Sequence, residues 1–193
     1  MKISTIILAA GKSARLGQPK QLLKYENQTL IERIVSTVTS FDFEKNVVVL
    51  GAFTEKIQPI LASTNVEIII NKNWQKGMSS SLKKGLEQVE NSDAILVFLS
   101  DQPFINTELI NGIITAAKST NLPIIATKYG EVLGVPALFK KAVFEDLKAL
   151  EKQVGAKKII KKYAKNNQVV FVNFEAAAVD IDTIEDYEKL LNT

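Results

Sequence analysis

The sequence IILAAGKSARLGQPKQLL, residues 6–23, decides the fold that we expect for the rest of the chain. It starts inside an apolar run, residues 3–8, whose β-branched side chains predict a buried strand. The small residues Ala9, Ala10 and Gly11 follow, and they allow a backbone to approach a ligand closely. Three cations come next in the chain: Lys12, Arg15 and Lys20. A strand that ends in such a loop predicts a phosphate-binding site, because backbone N–H groups and cationic side chains both attract anions.

Two common phosphate-binding motifs do not fit this loop. A Walker A loop would need glycine at position 6, which is Ile6. The dinucleotide-binding pattern G-x-G-x-x-G would need glycines where the chain has Ser13 and Leu16. The residues alone therefore leave two interpretations open: a phosphate loop of another type, or a surface loop with incidental basic residues.

The pattern L-A-A-G-x-S-x-R-x-G-x-x-K-x-L-L at residues 8–23 resembles the signature of the MobA-like nucleotidyltransferases. It is most similar to the molybdenum cofactor cytidylyltransferase branch, and Ala10 favours that branch because guanylyl-transferring relatives usually begin L-A-G-G. The resemblance implies that the loop surrounds a nucleoside triphosphate and that Arg15 and Lys20 contact its phosphates. The nucleotide-binding residues that it implies in this segment are Leu8, Ala9, Ala10, Gly11, Lys12, Ser13, Arg15 and Lys20.

Composition limits the chemistry. The chain has 193 residues, a length that suits one domain, and a formal net charge of +3. It contains no cysteine and no histidine, which excludes disulfides, cysteine nucleophiles, histidine bases and thiolate or imidazole zinc sites. A cation that prefers oxygen ligands, such as Mg²⁺, is the natural metal for the remaining side chains.

The sequence has no apolar stretch near the ~20 residues needed to span a bilayer. Residues 1–3 enter the first predicted strand directly and show no signal-peptide cleavage pattern. We therefore expect a cytoplasmic protein with no membrane partner.

Apolar runs alternate with amphipathic segments along the first two thirds of the chain. The predicted strands are residues 3–8, 46–50, 66–70, 93–99 and 123–127, and the predicted helices are residues 29–40, 55–62, 79–90 and 106–118. This alternation predicts a three-layer α/β/α sandwich, Rossmann-like, with a mostly parallel sheet. By resemblance it is of the nucleotide-diphospho-sugar transferase type.

The last third of the chain has a less regular pattern. We predict a turn at 129–131, an extended segment at 132–139, helices at 140–150, 156–164 and 184–191, a strand at 169–174 and a short strand at 178–181. No linker interrupts the chain, so we expect one nucleotidyltransferase domain over residues 1–193. Its nucleotide-binding part covers about 1–105 and its acceptor side about 106–193.

Residues 71–86 read N-x-x-W-x-x-G-M-S-S-S-L-x-x-G-L. Serine is a favoured helix N-cap, so these serines are consistent with an ordinary helix start as well as with a binding site. The block resembles a second motif of the same family, which implies that Gly77, Ser79 and Ser80, and also Ser81, border the base and ribose. Trp74 is interpreted as a packing residue rather than a ligand contact.

Asp101 in Ser-Asp-Gln-Pro, residues 100–103, follows a buried strand, where side chains face the ligand crevice of an α/β sheet. The alternative is that it forms a turn before Pro103. The family has D-x-P here, which implies that Asp101 holds Mg²⁺.

Residues 179–186 resemble a late family block, D-I-D-T-P-E-D. Alternation puts Asp180 and Asp182 on one side, which suits a metal, with Asp182 as the second ligand. The alternative is that Asp182 or Thr183 caps the last helix.

The resemblance weakens on the acceptor side. Val135 stands where relatives usually carry histidine in G-H-P, and residues 153–157 lack the aspartate of the family's G-D-x-G-A-R. Nine lysines lie between residues 140 and 165, and they fit either a solvated surface or a flank that attracts an anionic acceptor.

The resemblance implies transfer of CMP from CTP to molybdopterin-type molybdenum cofactor, with release of pyrophosphate. The alternatives are a transferase that uses GTP or a sugar or alcohol phosphate acceptor, and a non-catalytic protein that delivers molybdenum cofactor to a molybdoenzyme or its chaperone. A nucleic-acid binder is disfavoured because aromatic residues are not interleaved with the lysines.

Lys20→Ala or Asp101→Ala is expected to lower turnover by orders of magnitude while the protein stays folded. The first variant removes a cation that balances phosphate charge, and the second removes the carboxylate that the resemblance assigns to Mg²⁺. Steady-state turnover and circular dichroism of the purified variants measure both effects. Wild-type rates in either variant would contradict the assignment.

Overall fold

The computed structural model describes residues 1–151 and 153–193. Within these ranges, seven strands form one sheet: β1 (Ile3–Ala9), β2 (Lys45–Leu50), β3 (Glu67–Ile70), β4 (Ala94–Leu99), β5 (Ile124–Tyr129), β6 (Val132–Lys140) and β7 (Val169–Asn173). Lys24–Tyr25 and Gln28–Thr29 form a separate antiparallel ribbon.

The strand order across the sheet is β3-β2-β1-β4-β6-β5-β7. β1 lies between β2 and β4 and pairs with both in parallel. β6 is antiparallel to both of its neighbours, β4 and β5, while β7 is parallel to β5. The predicted mostly parallel sheet is confirmed, and the antiparallel strand β6 is the predicted extended segment.

The α-helices are α1 (Leu30–Thr39), α2 (Thr54–Leu61), α3 (Met78–Leu86), α4 (Thr107–Ser119), α5 (Phe144–Lys148), α6 (Lys157–Ala164) and α7 (Ile184–Leu191). Thr29 and Glu32 form a capping box at the start of α1, and Thr183 and Asp186 form one at the start of α7. Asn106 caps α4 through its side chain, which accepts from the Leu109 N–H at 3.0 Å.

Two hydrophobic layers cover the sheet, one on each face. Ile7 belongs to the layer shared with α1, α2 and α4, and Ile6 to the layer shared with α3, α5 and α6; both side chains are fully buried. Successive side chains of a strand point to opposite faces, so a continuously apolar β1 is what a sheet covered on both sides requires. The predicted three-layer α/β/α sandwich is confirmed.

Two predictions in the last third of the chain are wrong in detail. Residues 178–181 form no strand, because Glu175–Ala178 closes into a 3-10 helix whose three alanines have no β preference. The predicted helix at 140–150 is shorter, since Lys140 ends β6 and a 3-10 turn, Lys141–Val143, precedes α5.

Gly85→Ala is expected to destabilise the fold even though alanine favours helices. An added Cβ would lie 2.7 Å from Ile6 Cγ2 and 3.0 Å from Val49 Cγ2, two methyl groups fixed in buried strands. We expect the free energy of unfolding to fall by about 1–3 kcal/mol, as for other overpacked cores.

Gly112→Ala is the matched control, because that helical Cβ would lie 3.2 Å from Val172 Cγ1, at a half-buried position. Its effect is expected to stay within about 1 kcal/mol. Urea denaturation measures the free energy of unfolding of both variants. Equal values would show that the close contact between Gly85 of α3 and β1 does not exclude a methyl group at position 85.

Candidate active site

The ends of β1 and β4 lie side by side and open into a cleft of about 420 Å³. Leu8 of β1 pairs with Leu99 of β4, so the loops that follow both strands leave the sheet at the same edge. The cleft is lined by Leu8, Ala9, Ala10, Gly11, Lys12, Lys20, Gln21, Trp74, Gln75, Gly77, Met78, Ser81, Leu99, Ser100, Asp101 and Gln153. Most of the residues predicted around the phosphate loop therefore meet Asp101 at one place.

Lys20 lies between two carboxylates. Its Nζ forms ion pairs with Asp101 Oδ2 and, at 2.8 Å, with Asp182 Oδ1. The Ile181 N–H donates to the Asp101 main-chain oxygen at 3.0 Å, and this bond brings Asp182 beside Asp101. Two residues that are far apart in the sequence thus share one cation.

Arg15 does not line the cleft but forms an ion pair with one of these carboxylates, that of Asp182. Its Nη2 donates to Asp182 Oδ2 at 2.5 Å. The neighbouring Leu16 packs with Ile181 and Leu190, so the loop is held to the C-terminal segment by an ion pair and an apolar contact. Ser13, also outside the cleft, accepts from the Lys20 N–H at 3.0 Å and closes the loop on itself.

The charges of the site shift its titrations in different directions. Burial lowers the pKa of Lys20, but the charges and hydrogen bonds of Asp101 and Asp182 outweigh it, so this pKa is raised. Burial raises the pKa of Asp182, but Lys20 and Arg15 outweigh that effect and this pKa is lowered. Burial raises the pKa of Asp180, and the negative charges of Asp101 and Asp182 raise it further.

The second sequence block divides between two surfaces. Gly77 (φ 103°) starts α3 and, with Ser81, lines the cleft. Ser79 and Ser80 line a neighbouring groove of about 820 Å³ instead. Ser80 Oγ donates toward the main-chain oxygens of Asn73 and Gly77, at 3.0 and 2.8 Å. The geometry therefore brings Ser81 to the cleft and leaves Ser79 and Ser80 outside it.

Sequence reasoning missed several lining residues. The predicted site residues do not include Gln21, Gln75, Leu99 and Ser100. Gln153 stands at the aspartate position of the family's G-D-x-G-A-R and was interpreted only as a departure from it. Trp74 was interpreted as packing; its Cβ does lie where a Cβ on Gly51 would collide at 2.7 Å, but the side chain also lines the cleft. The close approach of Trp74 to Gly51 supports the packing role, whereas the position of Trp74 in the cleft cannot be predicted from the sequence.

The helix-cap alternative for Asp182 is answered by the structure, since Thr183 is the N-cap of α7.

Among the described residues, none of the predicted lysine flank lines the cleft, and Lys152 lies outside those residues. Lys148 pairs with Glu90 and Glu145, and Lys162 pairs with Asp146. These pairs fit the interpretation of a solvated surface.

In the described ranges, no helix is long and apolar enough to cross a bilayer.

Comparison with known proteins gives a consistent picture. Residues 5–168 match the model of the MobA-like NTP transferase domain. Nicotine blue oxidoreductase of Paenarthrobacter nicotinovorans is 27% identical, with 98% of this chain and 96% of that protein covered. The bifunctional protein GlmU of Buchnera aphidicola is 28% identical over 72% of this chain, which spans only 31% of that protein.

Among solved structures, Rv0371c of Mycobacterium tuberculosis H37Rv superposes with a TM-score of 0.86 and 27% identity, over 100% of this chain and 98% of that one. Another crystal structure of Rv0371c is a complex with manganese. The fold of the whole chain is therefore shared with these relatives.

Asp180→Asn and Asp182→Asn are expected to change stability at pH 7 in opposite directions. A carboxyl whose pKa is raised by folding destabilises the fold when ionised, whereas one whose pKa is lowered stabilises it. Asp180→Asn should therefore raise the thermal midpoint, and Asp182→Asn, which removes the partner of Lys20 and Arg15, should lower it.

Thermal unfolding in buffer with a chelator measures both midpoints without metal. Glu185→Gln, an exposed change in the first turn of α7, is the control for the loss of one negative charge. Shifts of the same sign for the two aspartate variants would contradict this account of the site.

Proposed function

This chain belongs to the family of MobA-like NTP transferase domains, which are nucleotidyltransferases, and on this basis we propose that it transfers CMP from CTP to molybdopterin-type molybdenum cofactor with release of pyrophosphate. The observation that carries the proposal is Lys20, held between Asp101 and Asp182 beside the small-residue loop that follows β1. A cation, an adjacent pair of carboxylates and a loop of backbone donors are the groups that a triphosphate and its counter-ion need.

The proposed reaction needs no histidine. The phosphate of the acceptor is already ionised at neutral pH, so it attacks the α-phosphorus of the nucleotide without a general base. The bond from the α-phosphorus to the bridging oxygen breaks, and pyrophosphate leaves. Catalysis then consists of positioning and charge stabilisation, with Arg15 and Lys20 balancing the charge on the phosphates.

Two features of the site fit a divalent cation held by Asp101 and Asp182. Asp101 Oδ1 is buried and has no hydrogen-bond partner within the described protein. Asp182 is the second carboxylate on Lys20, and Mg²⁺ commonly takes one or two carboxylates together with phosphate oxygens. When bound, Mg²⁺ would neutralise phosphate charge. The manganese complex of Rv0371c supports divalent metal use among relatives.

We propose that the base lies at the end of the cleft formed by Trp74, Gln75, Gly77 and Ser81. Ser81 lies near the start of α3, and its hydroxyl, which accepts from Asn71 Nδ2 at 3.0 Å, can donate to a pyrimidine edge. Ala10 supports CTP over GTP through the family resemblance. The acceptor is less constrained, because Val135 replaces the histidine of relatives; a sugar or alcohol phosphate acceptor, or delivery of molybdenum cofactor without catalysis, remains an alternative.

A second function is favoured by one comparison: nicotine blue oxidoreductase matches over nearly the whole of both chains. A cleft that binds nucleotide phosphates could hold the pyrophosphate of a reduced nicotinamide dinucleotide, and the chain would then transfer a hydride from it to an acceptor such as nicotine blue. Oxidation of the reduced cofactor in the presence of nicotine blue, which is reduced in the same step, is therefore the assay that separates the two functions.

The test is pyrophosphate release with each of the four nucleoside triphosphates, with and without molybdenum cofactor, in the presence of Mg²⁺. We expect release with CTP to be fastest and to depend on the acceptor, to stop when a chelator removes the metal, and to return when Mg²⁺ is restored.

The same assay is run on Lys20→Ala, which should lose release. Lys56→Met, on the exposed side of α2, is the control for the loss of a lysine charge and should release pyrophosphate at the wild-type rate. Fastest release with GTP, or with another phosphate acceptor, would redirect the specificity. The absence of release with every nucleotide and acceptor would refute the transferase proposal, and cofactor oxidation in its place would establish the second function.

A further inference from the structure

Gln21 lies directly beneath the phosphate loop. It belongs to the 3-10 turn Lys20–Leu22, is only 1% exposed and lines the cleft. Its Nε2 donates two hydrogen bonds, to the main-chain oxygen of Ala9 at 2.9 Å and to that of Gly11 at 3.1 Å. One side-chain amide therefore holds two carbonyl groups of the loop.

The third carbonyl of the loop is also held, because the Ala52 N–H donates to the Ala10 oxygen at 3.1 Å. The peptide bonds here are trans, so each N–H points opposite to the carbonyl of the residue before it. With the carbonyls of Ala9 and Gly11 turned toward Gln21, the N–H groups of Ala10 and Lys12 must point away from it. In residues 1–151 and 153–193 neither N–H has a hydrogen-bond acceptor.

The two hydrogen bonds of Gln21 come with an energetic cost. Its Oε1 is buried without a hydrogen-bond partner in the described protein. An unpaired buried acceptor costs about 1–3 kcal/mol, which an apolar side chain of similar length would avoid. The side chain keeps two donors at this cost, and both are used on the loop.

We infer that Gln21 is a positioning residue that fixes the loop so that the N–H groups of Ala10 and Lys12 are presented together to a phosphate group of the nucleotide. Donors fixed in advance bind an anion more strongly than donors that must reorient, and successive N–H groups form a concave anion site. The inference rests on the proposed function for the identity of the anion. It assigns a role to a residue at an unspecified position of the motif at residues 8–23.

The test uses Gln21→Met, which keeps the side-chain length and charge but removes both donors. Gln58→Met, on the exposed surface of α2, is the matched control. Inorganic pyrophosphate is the first probe, measured by calorimetry, and amide chemical shifts of Ala10 and Lys12 are followed during the same titration.

For Gln21→Met we expect the Kd for pyrophosphate to rise about tenfold, the loss of about one well-formed hydrogen bond to an anion. The shifts of the Ala10 and Lys12 amides on binding should shrink, and KM for the nucleotide should rise while KM for the acceptor stays unchanged. The thermal midpoint is not used to decide, because Gln21→Met removes the unpaired Oε1 but also takes the donor from the carbonyls of Ala9 and Gly11. Affinities are therefore compared at a temperature at which both proteins are folded. A purely structural role would leave the Kd of the folded protein and the two amide shifts unchanged.

The outcomes separate this inference from the proposed function. Pyrophosphate affinity that is unchanged in Gln21→Met, in an enzyme whose wild type transfers nucleotides, overturns the inference alone. Affinity that depends on Gln21, in a protein that transfers nothing, refutes the proposed function and supports the inference. A wild-type protein that binds neither pyrophosphate nor any nucleoside triphosphate overturns both.

Discussion

The parallel pairing of β1 with β4 is the constraint on which the rest of the site depends. Because Leu8 and Leu99 are partners in this pairing, both strands end level, and the loops that follow them begin within reach of each other. The small residues after β1 and Asp101 after β4 become neighbours for that reason. The full burial of the middle of both strands makes their register costly to shift, since a shift by one residue would exchange the two faces of the sheet.

The charged side chains at this edge of the sheet pair with one another. Asp101 and Asp182 would repel if they stood alone, and Lys20 and Arg15 hold them together. A polyphosphate with a divalent cation brings the same two signs of charge, so it can exchange partners with the protein rather than add an unbalanced charge. This explains how a chain without histidine or cysteine can serve phosphate chemistry: proton transfer is not required, and the site supplies fixed charge.

Local patterns in the sequence predicted the elements better than the contacts between them. The continuous apolar runs at β1, β2 and β4, which alternate with amphipathic segments, predicted the sheet and its layers. Asp101 was predictable because a residue after a parallel strand faces the crevice. The contact between Arg15 and Asp182 was not, since the two lie 167 residues apart and no periodicity connects them. Which serine faces the cleft depends on the backbone of Gly77, and Gln21 gave no signal because its partners are main-chain carbonyls.

The ion pair between Arg15 and Asp182 depends on ionic strength. Arg15 is largely exposed, with 69% of its side chain accessible, so salt screens its ion pair readily. The same salt also screens the attraction between the loop and an incoming polyphosphate. If Arg15 leaves Asp182 to bind a phosphate, as the proposed function requires, the two screening effects oppose each other, and the affinity for a polyphosphate depends less on salt than it would for an unpaired arginine.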